Sequence, residues 1–152
     1  MIPDEIETNK AAIRSIYEVC LNTGNMESLA QLISPDFVGV NADIGPEGFA
    51  ATLMGLRSGF PDIQYTVEDV IGDNDRVAVR WIWTGTHKND FRGFMATNAT
   101  MRNSGVSIYQ MREGKIFRAW IETDRLGFLL QIGALPAEFS ARIQPPSVTD
   151  KR

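Results

Sequence analysis

Apolar and polar residues alternate along this chain with two different periods. Over about residues 4–22, Ile6, Ile13, Ile16, Tyr17, Cys20 and Leu21 fall mostly on one helical face. Gly24 stops that helix. Asn25 is placed to cap a second helix, Met26 to Ile33, with Leu29, Leu32 and Ile33 inward and Pro35 at its end. Phe37, Val38 and Val40 predict a short strand. Gly45-Pro46 opens a third helix, with the proline in the first turn, where it is tolerated. Phe49, Leu53 and Leu56 give this helix a buried side, and it ends near Gly59.

Past Pro61 the period shortens to two. Residues 63–71 read as a strand and Gly72-Asp73-Asn74-Asp75 as a turn. Residues 76–87 form a long strand rich in Val and Trp, followed by a loop over about 88–97. Residues 99–111 and 116–123 are strands joined by the turn Arg112-Glu113-Gly114-Lys115. Leu126, Phe128, Leu129, Leu130 and Ile132 predict a short apolar helix, ended by Gly133. The tail, with Pro145-Pro146, is expected to be loose. Helices set apart from a meander of long strands mean an α+β fold. A strongly curved sheet with helices on its concave side makes a cone, and Gly85, Gly93 and Gly105 are placed to mark its bends. A length of 152 residues fits one domain, expected over 1–135, with 136–152 as a C-terminal tail.

Composition narrows the function. The net charge is −4 and no basic run occurs, which argues against nucleic acid as a partner. No apolar stretch is long enough to span a membrane. The opening MIPDEIETNK is acidic and polar, unlike a signal peptide, so a cytoplasmic location is the expectation. One cysteine forbids an internal disulfide, and one histidine with one cysteine cannot make a His/Cys zinc site. There is no G-x-S-x-G elbow, P-loop or G-x-G-x-x-G. Cofactor-free chemistry, carboxylate chemistry or no chemistry remains, with no metal and no cofactor expected.

Trp120, Glu122 and Asp124 share one side of the last strand. If that side faces the cone, it holds a carboxylate pair beside an indole, and desolvation makes one carboxylate a base for a carbon acid. The plain alternative for Asp124 is an N-cap of the apolar helix that follows, and for Glu122 a solvated strand residue. His87 ends a strand at the start of a loop, where it can donate to a carbonyl oxygen, or be an inconsequential surface histidine. Tyr17, Trp81, Trp83, Trp120, Phe91, Phe94 and Met95 can line an apolar cavity or simply build a core. Trp81 and Trp83 share one strand face, and Arg80, Ile82 and Thr84 the other. Cys20 reads as a small buried hydrophobe.

Three stretches carry a family resemblance: GFPDIQYTVEDVIGDNDRVAVRWIWTGTH, GVSIYQMREGKIFRAW and IETDRLGFLLQIG. They resemble the SnoaL-like polyketide cyclases of the nuclear-transport-factor-two-like superfamily, a cystatin-like α+β barrel, over roughly residues 8–135. The resemblance is strongest at Gly85-Thr86-His87 and at Trp120, Asp124, Gly127, Leu130 and Gly133. It implies an aldol-type cyclase in which Asp124 is the acid/base and His87 lies at the pocket mouth. It also implies a homodimer and a hydrophobic, carbonyl-rich small-molecule ligand. Two departures stand out. Met95-Ala96-Thr97-Asn98 replaces a frequent Pro-Pro-Thr-Gly segment, and Glu122 replaces a frequent aromatic. The same fold also hosts isomerases, epoxide hydrolases and non-catalytic binding or dimerisation modules, so those readings stand beside it.

Overall fold

A computed structural model of the chain describes residues 3–39 and 41–143. Helix α1 (Pro3–Ser15) runs straight into a π-helical turn, Ile16–Leu21. The predicted single helix therefore changes pitch halfway, and the Asn25 amide reaches back five residues to the Cys20 carbonyl at 3.1 Å. Gly24 ends this segment with φ +73°, a conformation that costs glycine nothing. Helix α2 (Met26–Ala30) starts at the expected cap, where the Ser28 amide donates to Asn25 Oδ1 at 3.1 Å. It is shorter than predicted, because Ile33 already belongs to strand β1 (Ile33–Val38). Pro35 lies inside β1 rather than before it. That is tolerated because β1 is an edge strand, with no ladder partner on its outer side.

Helix α3 (Gly45–Gly59) carries Pro46 in its first turn, as read. Strands β2 (Gln64–Asp73), β3 (Arg76–Thr86), β4 (Thr100–Arg112) and β5 (Lys115–Thr123) follow as an antiparallel meander. The sheet order is β1-β5-β4-β3-β2, with β1 parallel to β5. The curved sheet does not close. Helix α4 (Arg125–Gln131) packs back on β4, where Gln131 takes the Arg102 amide at 2.9 Å and donates to its carbonyl at 2.8 Å. Within the tail expected from the sequence, α5 spans Glu138–Ile143. Pro145-Pro146 lie outside the described residues. Among the described residues no helix is long and apolar enough to cross a membrane.

Burial settles which sheet face is the interior. Val77, Val79, Trp81 and Trp83 on β3 are buried, as are Met101, Asn103, Ser107, Tyr109 and Met111 on β4. Ile13, Ile16, Tyr17, Cys20 and Leu21 cover them from the helical side, and Cys20 is one small apolar member of that layer. The expected bend marker Gly105 has a tighter duty. A Cβ there would sit 2.4 Å from Trp81 Cζ2 and 2.5 Å from the Glu122 carbonyl oxygen. The indole lies flat over the strand because nothing protrudes. Gly105→Ala is expected to cost about 1–3 kcal/mol by overpacking. Gly55, in exposed α3 with nothing within 4 Å of its Cβ position, gives the opposite sign: Gly55→Ala gains about 0.5–1 kcal/mol. Urea unfolding of both variants checks the pair.

Candidate functional site

Two buried polar groups sit in the aromatic interior. The first is a hydroxyl cluster. Tyr17 Oη lies 2.6 Å from Tyr109 Oη and donates to Ser107 Oγ at 3.2 Å, and Trp81 Nε1 donates to the same Ser107 Oγ at 2.9 Å. The ring of Tyr65 meets Tyr17 edge-on at 5.5 Å and Trp81 at 5.6 Å. Desolvation raises the ionisation of Tyr17, Tyr65 and Tyr109 above the ordinary phenol range, so all three keep their protons at neutral pH. Asn22, just past the π turn, fixes this end of the site. Its Oδ1 accepts from the Tyr65 amide at 2.6 Å and its Nδ2 donates to the Tyr65 carbonyl at 3.0 Å.

The second group is His87, fully buried rather than lying on the surface. Its ring stacks on Phe60 with centroids 5.3 Å apart. Phe60 in turn meets Trp83, Phe91 and Phe128 at 5.2, 5.6 and 6.1 Å. His87 Nδ1 accepts from the Thr97 amide at 3.4 Å and lies 3.1 Å from Thr97 Oγ1. An acceptor Nδ1 on a neutral imidazole leaves the proton on Nε2. His87 Nε2 is buried without a hydrogen-bond partner among the described residues. An uncompensated buried donor is costly, so this atom is the most conspicuous unsatisfied group in the site. The strand end that carries His87 is pinned by Asp62, whose carboxylate accepts from the Thr86 amide and from Thr86 Oγ1, each at 2.7 Å.

The expected carboxylate pair is not in the interior. Ile108 pairs with Trp120 and Val106 with Glu122 on the outer face, while Ser107 and Ile121 take the inner one. Trp120 is 41% exposed with Arg76 5.1 Å from its ring centroid, and Glu122 is exposed. Asp124 has left the strand. It is exposed and acts as the N-cap of α4, with Oδ1 accepting from the Gly127 amide at 2.8 Å. Trp120 instead lines an open cleft of ≈ 450 Å³ between β1 and β5, with Asp36, Val38 and Arg118. Tyr17, Trp83 and Phe91 are buried in the interior as expected of lining residues, and Phe94 is half-buried, bridged to Phe91. Met95 does not line it, because the loop turns its side chain outward to 79% exposure. Arg80 is also outside. A bulge after Val67 places both Glu68 and Asp69 against its guanidinium, with Asp69 Oδ2 at 2.6 Å. The sequence pattern does not mark Tyr109, Ser107, Phe60, Phe128 or Thr97 as site residues. The available signal was Ser107 and Tyr109 alternating on one strand face.

The sequence profile of the SnoaL-like polyketide cyclases matches residues 11–132. The chain belongs to the SnoaL-like polyketide cyclase family. Its fold recurs in AclR, a candidate hydroxylase from Streptomyces galilaeus: 24% identity over 86% of this chain and 99% of that one, TM-score 0.77. A candidate polyketide cyclase from Acidithiobacillus ferrooxidans is 26% identical over 85% and 96% of the two chains, with a TM-score of 0.76. IdmH, a candidate polyketide cyclase from Streptomyces antibioticus, is 28% identical over 82% and 98%, with a TM-score of 0.71. No curated protein sequence matches the chain significantly. Among the described residues of this SnoaL-like protein, no group of three His, Cys, Asp or Glu is placed to hold a metal ion.

Asp62 gives the His87 end of the site a pH signature. The Thr86 amide and hydroxyl hold its carboxyl below the ordinary carboxylate range. A lowered folded value means a stabilising contribution that is complete above about pH 4 and is lost as pH falls through that lowered value. Asp62→Ala is expected to lower Tm by about 2–4 °C at pH 7. The gap from the parent should close as pH falls through that lowered value. Calorimetry across that range is the check.

Proposed function

We propose that this protein is a cofactor-independent cyclase, a cyclase/isomerase-type lyase that closes a ring in a hydrophobic, carbonyl-rich small molecule by general acid/base catalysis. The observation that supports it is the buried, unpartnered His87 Nε2 within the shell of Phe60, Trp83, Phe91 and Phe128. A neutral donor in an apolar surround is suited to a carbonyl oxygen that gains charge during reaction. In the proposed step, the Asp124 carboxylate removes a proton from a carbon between two carbonyls. The resulting enolate carbon attacks a second carbonyl, one carbon–carbon bond forms, and the new alkoxide, hydrogen-bonded by His87 Nε2–H, takes a proton from water. The proton on Asp124 returns through solvent, so the product is an isomer of the substrate. A hydrophobic substrate laid over Asp124 would displace water from its carboxylate and strengthen it as a base. Trp83, Phe91 and Phe94 are assigned to the substrate's apolar surface and Tyr17 to its inner end.

Asp124→Asn separates chemistry from folding, because asparagine caps a helix as well as aspartate does. Its stability should stay within a few tenths of a kcal/mol, while turnover of a linear poly-β-carbonyl ester falls about 10²-fold or more. Ring-closed product is measured by liquid chromatography with mass detection. Undiminished turnover in that variant would refute the role of Asp124. One observation favours a second reading, a ligand-binding or dimerisation module without turnover: the Asp124 carboxylate is engaged by the Gly127 amide as a helix cap. That reading expects ligand binding by the parent protein and no product from any poly-β-carbonyl ester offered.

Assembly as a homodimer belongs to the same proposal. Ile71, Ala78, Ile108 and Trp120 stand in register as one apolar row across the outer face of four strands. Ile71 is 66% exposed and Ile108 39%. Symmetric pairing through such a row buries it twice over. Sizing with light scattering should give the dimer mass, and Ile108→Arg should give the monomer with unchanged far-UV circular dichroism. A parent protein at monomer mass would remove the proposal.

A further inference from the structure

The ladder between β1 and β5 is broken. From the pair Ile33–Ile116 to the pair Val38–Arg118, β1 advances five residues and β5 two. The surplus, in the stretch that holds Pro35, bows β1 away from its neighbour. Past Val38, β1 turns back, with the Gly39 amide on the Asp43 carbonyl at 2.8 Å, while β5 runs on to Thr123. The gap between them is the open cleft of ≈ 450 Å³. Its size is that of a small-molecule site. It opens beside Trp120 on the outer side of the sheet, away from His87.

Val38, Phe117, Ala119 and Trp120 give the cleft apolar walls, and Asp36 and Arg118 give it charge. The carboxylate is on the β1 wall and the guanidinium on the β5 wall. They are opposite in sign and line one space, yet no ion pair joins them. Neither has another ion-pair partner among the described residues. Arg118 is drawn instead to the Phe117 ring, 5.2 Å from its centroid, and Arg112 lies 3.7 Å from the same centroid. Arg76 lies 5.1 Å from the Trp120 centroid. These contacts steady a guanidinium on a ring without neutralising it. Arg80, on the same outer face, shows the contrast, since Glu68 and Asp69 both take its guanidinium.

We propose that this cleft binds a small aromatic zwitterion, a planar ring that carries a carboxylate and an ammonium group. The ligand carboxylate pairs with the Arg118 guanidinium, whose planar fork suits it. The ammonium pairs with Asp36, and the ring lies against Trp120 and Phe117. A neutral aromatic leaves both protein charges unanswered. A plain anion meets Asp36, and a plain cation meets Arg118, so each gains one attraction and suffers one repulsion. The site is independent of the interior and of the chemistry proposed for it, because the sheet lies between the two. Trp120 also ends the apolar row assigned to dimerisation, so binding is measured on the protein in the assembly it adopts.

The probe is 4-(aminomethyl)benzoate at neutral pH, with benzoate and benzylamine as controls that carry one charge each. Of the chain's three tryptophans, Trp120 is the exposed one, while Trp81 and Trp83 are 5% and 2% exposed. Its indole N–H signal is identified in nitrogen-15 NMR by its loss in Trp120→Phe. The zwitterion is expected to move that signal and leave those of Trp81 and Trp83 in place. Its affinity should exceed that of either control about 5-fold or more. Asp36→Asn should erase the preference over benzoate, and Arg118→Gln the preference over benzylamine. Both side chains are exposed, so both variants are expected to fold, and far-UV circular dichroism verifies it. Movement of the Trp81 or Trp83 signal in place of Trp120 would put the probe in the interior and overturn the cleft site. No movement up to about 10 mM probe, equal affinity for the three compounds, or unchanged preference in the two folded variants would overturn it as well.

Discussion

The contact between the Trp81 indole and the bare backbone of Gly105 orients the whole sheet. The indole has room to lie flat only because β4 presents no side chain there. With Trp81 held inward, strand alternation forces Trp83 and then His87 inward as well. Pairing of β3 with β4 carries the same choice to Ser107 and Tyr109. Both polar groups of the interior therefore depend on one tight packing contact.

The two groups differ in how they are satisfied. His87 is held through Nδ1 and through its backbone, with its amide on the Ala99 carbonyl at 3.0 Å and its carbonyl on the Asn98 amide at 2.9 Å. The tip of its ring is left over. The tyrosines are held by one another and by Ser107, with no oxygen of the cluster left without a partner. Buried polar networks that fall one partner short are rare in well-packed proteins. The unpartnered His87 Nε2 marks the end of the interior where a ligand's polar atom would fit. That is consistent with a family whose fold is shared by proteins of different assigned chemistry.

Much of this was legible in the sequence, and the failures have a common cause. The Asn25 cap, the proline in the first turn of α3, the four long strands and the glycine after α4 are local signals, and local signals carried them. Pro35 misled because it ends helices in general, while an edge strand can accept it. For the site, period-two alternation showed which residues travel together but not which side is covered. On β3 the aromatic side went inward. On β5, Trp120 and Ile121 are both bulky, and only pairing with β4 decided that the indole faces out. The sequence leaves Asp124 open as base or cap, and the cap is visible in its bond to Gly127. The Tyr17–Tyr109 pair was out of reach, because it joins residues 92 positions apart.

An open sheet has two bare rims, and both are blunted here. At one rim Pro35 removes an amide from β1, so an incoming chain finds a gap in the row of donors. At the other, the Asn22 side chain answers both backbone groups of Tyr65, as a neighbouring strand would. A carboxamide standing in for a strand denies a docking register to any sixth strand, whether from a second molecule or from a misfolded copy. The protein thereby resists growth into ribbons or fibres along its hydrogen-bonding direction.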